Sequence, residues 1–310
     1  MLGLLLRATR APSLLAGAMP AVVLPALVAS QGGAVRLLPA AVTAIGLIAL
    51  QAGVNVVNDL FDDESGLDAD PEFARSPFPL GSRVLQSGAL SRRGMWSLAA
   101  GCFGLGLVCG LYLDTLHPGH TVLWIGVAGA VLGYFYTAPP LKLAYLGVGE
   151  PIIFLLFGPM AGLGATFVQT GRLDDGPALL VSSALGVLIM AVLYLHHFPQ
   201  HDADARHGKK TPIVRLGQVR AGRLVPVMMA APFAMIAAGV ATGALPPAAF
   251  AFGLGVVPAI NASRLALVAP TDGRRMTQAF GHVMLTLLVG SLSLAIALSI
   301  GSRSGSGDGA

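Results

Sequence analysis

The chain has 310 residues, 55% of them hydrophobic and only 11% charged, with a mean hydropathy of +0.74. A soluble domain carries about 25% charged residues, so this composition excludes a water-facing surface over most of the molecule and indicates a polytopic membrane protein. The net charge of +4 does not call for a nucleic-acid partner, because basic loops flanking apolar segments account for it.

The first thirty residues pair Arg7 and Arg10 with a long apolar stretch ending LVAS. The pattern is like a signal peptide, but the apolar run is long for one, and the segment is read as a retained first span. Runs without Asp, Glu, Lys or Arg then cover 11–35, 37–58, 94–113, 115–141, 151–171 and 176–201. The run 224–263 is too long for one span, and GALPPAA at 243–249 supplies a turn in its middle. The run 276–302 is the last. Nine transmembrane helices are expected, because a segment in lipid must satisfy its own backbone hydrogen bonds. They form one all-α domain over 1–302, followed by a disordered tail at 303–310. Cys102 and Cys109 fall within the third run and read as small packing residues.

Lys and Arg set the orientation. Placing the N-terminus, 59–93, 138–150, 199–223 and 264–275 in the cytoplasm puts sixteen of the nineteen basic residues there. Only Arg36, Arg172 and Arg303 lie on the other side. This positive-inside bias predicts a cell-membrane protein, a bacterial inner membrane being the expected location, with its N-terminus inside and its C-terminus outside.

The cytoplasmic end of the second run reads QAGVNVVNDLFDDESGLDAD, and seven of the fifteen acidic residues lie between Asp59 and Glu72. Asn55, Asn58, Asp59 and Asp62 share one helical face at i, i+3, i+4, i+7. Gly66 permits a turn that brings Asp68 back toward them. Crowded carboxylates need cations, and hard oxygens at a partly open mouth suit Mg²⁺, which often also binds substrate phosphates. Asp63, Glu64, Asp70 and Glu72 read as a solvated surface. A second polar helix end follows in LYLHHFPQHDADARHGKKTPIVRLG, where Gln200 and Asp204 share a face if the helix continues past Pro199. Arg83, Lys142, Lys209 and Lys210 are expected on the same side. Carboxylates, Mg²⁺ and these basic side chains together would form a diphosphate site, although each basic residue alone also serves as a topology determinant. No Walker, HExxH or CxxC pattern is present in the sequence.

Five blocks, in order, resemble the UbiA-type intramembrane prenyltransferases, and most closely the branch that prenylates 1,4-dihydroxy-2-naphthoate in menaquinone synthesis. QAGVNVVNDLFDDESGLD is similar to that branch's first aspartate motif and RVLQSGALS to its R-x-x-x-S-G-x-x-S loop. GYFYTAPPLKLAYLGVGEP resembles its tyrosine-rich loop, FGPMAGLGATFVQTG its fifth-helix segment, and GKKTPIVRLG the end of its second motif. The resemblance implies a helical bundle around a central cavity open to the cytoplasm. It implies Asn58, Asp59, Asp62, Asp68, Gln200 and Asp204 as Mg²⁺ ligands. It implies Asn55, Asn58, Arg83, Lys142 and Lys209 as diphosphate contacts, and Asp59, Asp62, Asp204 and Tyr136 as residues at the reacting centre.

One departure is plain: the family's second motif is D-x-x-x-D, whereas here Gln200 stands in the first position and His196, His197 and Pro199 precede it. Gln200 offers an oxygen without charge, and Asp202 is the alternative carboxylate. The histidine pair is read either as structural or as part of the acceptor pocket. The implied partners are a polyprenyl diphosphate, an aromatic acceptor and the lipid bilayer. Other acceptors of the superfamily remain alternatives, namely hydroxybenzoate, homogentisate, chlorophyllide-like or glycerol-phosphate substrates. A transporter, the rival of a different class, would need carboxylates near the bilayer midplane, where this sequence has none.

Overall fold

The computed structural model describes residues 1–71 and 81–304. Glu72 and residues 305–310 of the expected tail lie outside them, and the last helix extends to Ser304. Among the described residues the fold is helical throughout, without strands. Eight helices are long and apolar enough to cross a membrane. They are α2 (Ala11–Ser30), α3 (Leu37–Glu64), α4 (Arg92–Asp114), α6 (Gly149–Thr170), α7 (Gly176–Arg206), α8 (Gln218–Ala241), α9 (Pro247–Val268) and α10 (Gly273–Ser304). A short α1 (Leu2–Ala8) precedes them.

The expected fourth run at 115–141 contains the apolar helix α5 (Thr121–Tyr134), shorter than the other eight at 14 residues. At 1.5 Å per residue it reaches about 21 Å, short of a 30 Å hydrocarbon core. His117, Pro118 and Gly119 turn the chain before it, with φ +98° at Gly119, and the Ala138-Pro139-Pro140 turn follows it. The long run at 224–263 divides as expected. Gly243 (φ +74°) and Pro246 interrupt it between α8 and α9.

Small residues set how closely the helices approach. Pro159 has no N–H to donate, and the middle of α6 widens to a π-helical turn at Leu156–Met160. Gly158 in that turn meets Gly186 of α7 backbone to backbone; a Cβ on Gly186 would lie 2.7 Å from the Gly158 Cα. One turn on, Gly162 faces Ser182, whose Oγ would lie 2.8 Å from an added Cβ. In lipid such close packing, rather than hydrophobic burial, holds helices together. A large core of Ala, Leu, Val and Phe from α2 and α7–α10 lies on one side. A smaller cluster of Ala8, Val56, Val57, Leu60, Val84, Met95 and Ala99 packs α1, α3 and α4 together under the polar helix ends.

Gly186→Leu should lower stability in detergent by about 2 kcal/mol or more, because backbone on both sides cannot yield to the added side chain. Gly104→Ala, where an added Cβ meets nothing within 4 Å, should cost nothing. A thermal melt of both variants checks this.

Candidate active site

The stripe on α3 forms as the spacing requires, and Asp59 and Asp62 are 2% and 4% exposed. Asn55 is tied to the N-terminal segment: its Nδ2 donates to the Thr9 carbonyl (3.0 Å) and to Ser13 Oγ (3.1 Å). Asp59 pairs with the Arg10 guanidinium and accepts from the Ser82 N–H (3.2 Å). Asp62 accepts from the Tyr145 hydroxyl (3.0 Å), which also donates to Ser65 Oγ (3.0 Å). Gly66 turns at φ +80° and places Asp68 in a buried 3₁₀ turn, where its Oδ2 accepts from Gln86 Nε2 (3.4 Å).

Asp63 and Glu64 face Arg92 at the rim, as a solvated surface would. Asp70 does not. It is buried, accepts from Arg206 Nε (3.1 Å) and Nη2 (2.9 Å), and so links the two acidic segments. The expectation that Asp70 is a solvated bystander is corrected.

The second segment comes to the same end of the bundle. The regular helix yields to a 3₁₀ turn at Phe198–Gln200 around Pro199, then resumes over His201–Arg206. Gln200 and Asp204 are both buried. Asp204 accepts from His197 Nδ1 (3.1 Å) with the ring in the donating tautomer. Asp202 is 64% exposed and pairs with His201, so it cannot replace the carboxylate missing at Gln200. His196 packs near Phe280.

Lys209 joins the two segments. Its Nζ lies 3.8 Å from Asp62 and 4.0 Å from Asp204, and its side chain is 5% exposed. Burial alone would lower its pKa, but Asp62 and Asp204 outweigh burial and raise it, so the amine stays charged. Tyr145 lies between Lys209 and Lys142, whose Nζ atoms are 5.5 and 5.6 Å from its ring centroid. The Lys210 N–H donates to the Tyr145 carbonyl (3.0 Å), and Arg215 Nη2 to the Leu146 carbonyl (2.6 Å). The tyrosine loop is thus strapped to the second segment. Burial, with Glu150, Asp62 and Asp204 nearby, raises the pKa of the buried Tyr136 phenol and keeps it protonated.

Arg83 follows Ser82 at the rim, half-buried. Arg10, Arg83 and Lys142 all take left-handed backbone conformations, with φ +54°, +54° and +45°. Strain of this kind, of order 1–3 kcal/mol each, concentrates where function fixes the backbone.

Sequence reasoning missed Arg10 and Tyr145. In the sequence Arg10 reads only as part of the basic, signal-peptide-like start of the chain, and an arginine just ahead of a span is the available signal. Tyr145 sits three residues after Lys142 in a loop already singled out.

The donor set suits a hard divalent cation. Asn58 Oδ1, Asp68 Oδ1 and Asp204 Oδ1 are buried and have no hydrogen-bond partner, and each needs a donor or a cation. Burial, reinforced by Asp62 and Asp59, pushes the Asp68 carboxyl up to about 8. Among the described residues no three His, Cys, Asp or Glu side chains close on one point. The acids surround Arg10 and Lys209 instead.

The UbiA prenyltransferase family profile matches residues 18–289. The chain is 33% identical over 198 residues to a 2-carboxy-1,4-naphthoquinone phytyltransferase of Synechocystis, covering 63% of this chain and 60% of that protein. It is 33% identical over 263 residues to a 1,4-dihydroxy-2-naphthoate octaprenyltransferase of Mycobacterium tuberculosis, covering 83% and 84%. Its fold is similar to that of a UbiA homolog from Aeropyrum pernix, with a TM-score of 0.68 at 19% identity over 94% of this chain and 97% of that one. It is also similar to a UbiA homolog from Archaeoglobus fulgidus bound to GPP and Mg²⁺, with a TM-score of 0.56 at 15% identity over 94% and 99%. An all-helical membrane bundle with two acidic helix ends facing each other, matched over most of its length by that family's profile, belongs to the UbiA prenyltransferase family.

Proposed function

We propose that this protein transfers a polyprenyl group from its diphosphate to an aromatic ring, with a naphthoate such as 1,4-dihydroxy-2-naphthoate as the acceptor. The observation that carries the reading is the junction at Lys209, where a charged amine stands between Asp62 of the first motif and Asp204 of the second. The names of the two relatives support a naphthalene-type acceptor. The positive-inside bias supports a cytoplasmic site.

Asn58, Asp59, Asp62, Asp68, Asp204 and the amide oxygen of Gln200 would hold Mg²⁺. Bound there, the metal supplies positive charge against which a diphosphate can depart. Arg10, Lys209, Lys142 and Arg83 bind the diphosphate oxygens and fix the donor's orientation. His197 holds Asp204 in place, and Tyr145 does the same for Asp62. The allylic C–O bond breaks with its electron pair going to the diphosphate, which leaves carbocation character on the prenyl carbon. A ring carbon of the acceptor supplies the electron pair for the new C–C bond. The ring then releases a proton, or carbon dioxide where the attacked carbon bears a carboxylate. Tyr136 contributes a buried, protonated phenol beside this centre.

Asp62→Ala should abolish Mg²⁺-dependent diphosphate release while the protein still inserts and purifies; full turnover would remove Asp62 from the site. Gln200→Asp should keep activity and reduce the Mg²⁺ concentration needed for half-maximal rate. Complete inactivity of that variant with a normal melt would give Gln200 a different task. Asp68 supplies a pH test. Its carboxyl is raised from 3.8 to about 8, so in metal-free protein its contribution is fully present below about pH 4 and lost as pH rises to about 8. Relative to Asp68→Asn, the wild-type melting temperature should fall across that window. Added Mg²⁺, which needs the ionised form, should raise it more at pH 8 than at pH 6.

A further inference from the structure

Glu150 is a buried acid that the two aspartate motifs do not include. It is the second residue of α6, is 5% exposed, and its Oε1 has no hydrogen-bond partner. A buried carboxylate oxygen left unpaired is costly unless a ligand supplies a donor. The residue before it touches the reacting centre, since a Cβ on Gly149 would lie 2.9 Å from the Tyr136 hydroxyl. Glu150 follows Gly149 at the start of α6 and so borders the site from the α6 side, next to Tyr136.

Its chemistry selects the ligand. A carboxylate repels a diphosphate, so Glu150 does not serve the donor. The nearby donors are already engaged, His197 Nδ1 with Asp204 and the Lys209 amine with Asp62 and Asp204. What remains is a neutral hydrogen-bond donor beside the Tyr136 ring. We infer that Glu150 binds the second substrate, its free carboxylate oxygen accepting a hydrogen bond from a ring hydroxyl of the aromatic acceptor. This rests on the aromatic-acceptor reading above and deepens it. An acceptor carrying both a hydroxyl and a carboxylate must turn its hydroxyl edge to Glu150 and its own carboxylate away, which fixes the ring's orientation toward the prenyl carbon.

The test uses the full-length protein in lipid nanodiscs with geranylgeranyl diphosphate, Mg²⁺ and 1,4-dihydroxy-2-naphthoate, comparing wild type, Glu150→Gln and Glu150→Asp. Glu150→Gln should raise the acceptor KM about tenfold or more, as expected for a lost hydrogen bond to a charged group, and leave the diphosphate KM within about twofold. Glu150→Asp should recover part of that loss. Methylating the ring hydroxyl that Glu150 binds should cost the wild type a similar factor and the Gln variant nothing further. An unchanged acceptor KM in Glu150→Gln, or methyl ethers of each hydroxyl costing both proteins equally, would overturn the assignment while leaving the prenyl-transfer reading intact. Loss of diphosphate binding in both variants would make Glu150 a scaffold residue and overturn it too. A wild type that transfers to no hydroxylated aromatic acceptor would sink both readings.

Discussion

Four carboxylates buried at one end of a membrane bundle must be balanced by charge, and the rest of the site follows from that requirement. Asp59, Asp62, Asp68 and Asp204 are each at most 4% exposed. Ionised and unpaired, such a group would be prohibitively costly. Arg10 and Lys209 reach in among them, one from the N-terminal segment and one from the loop after the second motif. The balance is partial: Asp68 is left with a carboxyl that holds its proton to about 8, and Asn58 Oδ1, Asp68 Oδ1 and Asp204 Oδ1 lack hydrogen-bond partners. An under-neutralised acidic site with fixed basic residues is suited to a metal-bound diphosphate, which brings both the cation and an anion for Arg10 and Lys209.

Holding this arrangement takes structure remote from the acids. The tyrosine loop is pinned to the second segment by hydrogen bonds from the Lys210 N–H to the Tyr145 carbonyl and from the Arg215 guanidinium to the Leu146 carbonyl. The Asp70–Arg206 pair pins the first segment to the second. Behind them, Gly158 and Gly186 let α6 and α7 approach backbone to backbone, which sets where Glu150 and His197 stand relative to each other. Helix packing, loop straps and charge pairs therefore act on one small volume.

Much of this was legible in the sequence, for definite reasons. Uncharged runs located the spans because lipid tolerates little else. The i, i+3, i+4, i+7 spacing placed Asn55, Asn58, Asp59 and Asp62 on one face because α3 continues unbroken to Glu64. Gly66 announced the turn to Asp68. What escaped depended on contacts between distant positions. Arg10 meets Asp59 across 49 residues, and Arg206 meets Asp70 across 136, with no local pattern to announce either pair. Asp202 and Asp204 look alike in sequence, yet two positions apart on the helix His201–Arg206 they face opposite ways, one outward and one inward. The ends of α5 were not legible, because loop residues 115–120 and 135–141 are themselves uncharged.

The central claim is that this end of the bundle joins a prenyl carbon to an aromatic ring. Mass spectrometry of the products formed from a polyprenyl diphosphate, Mg²⁺ and a panel of aromatic acceptors tests it most directly. The account predicts a C-prenylated naphthalene product, formed with stoichiometric diphosphate and absent without Mg²⁺. Intact substrates after incubation with folded, diphosphate-binding protein would contradict it.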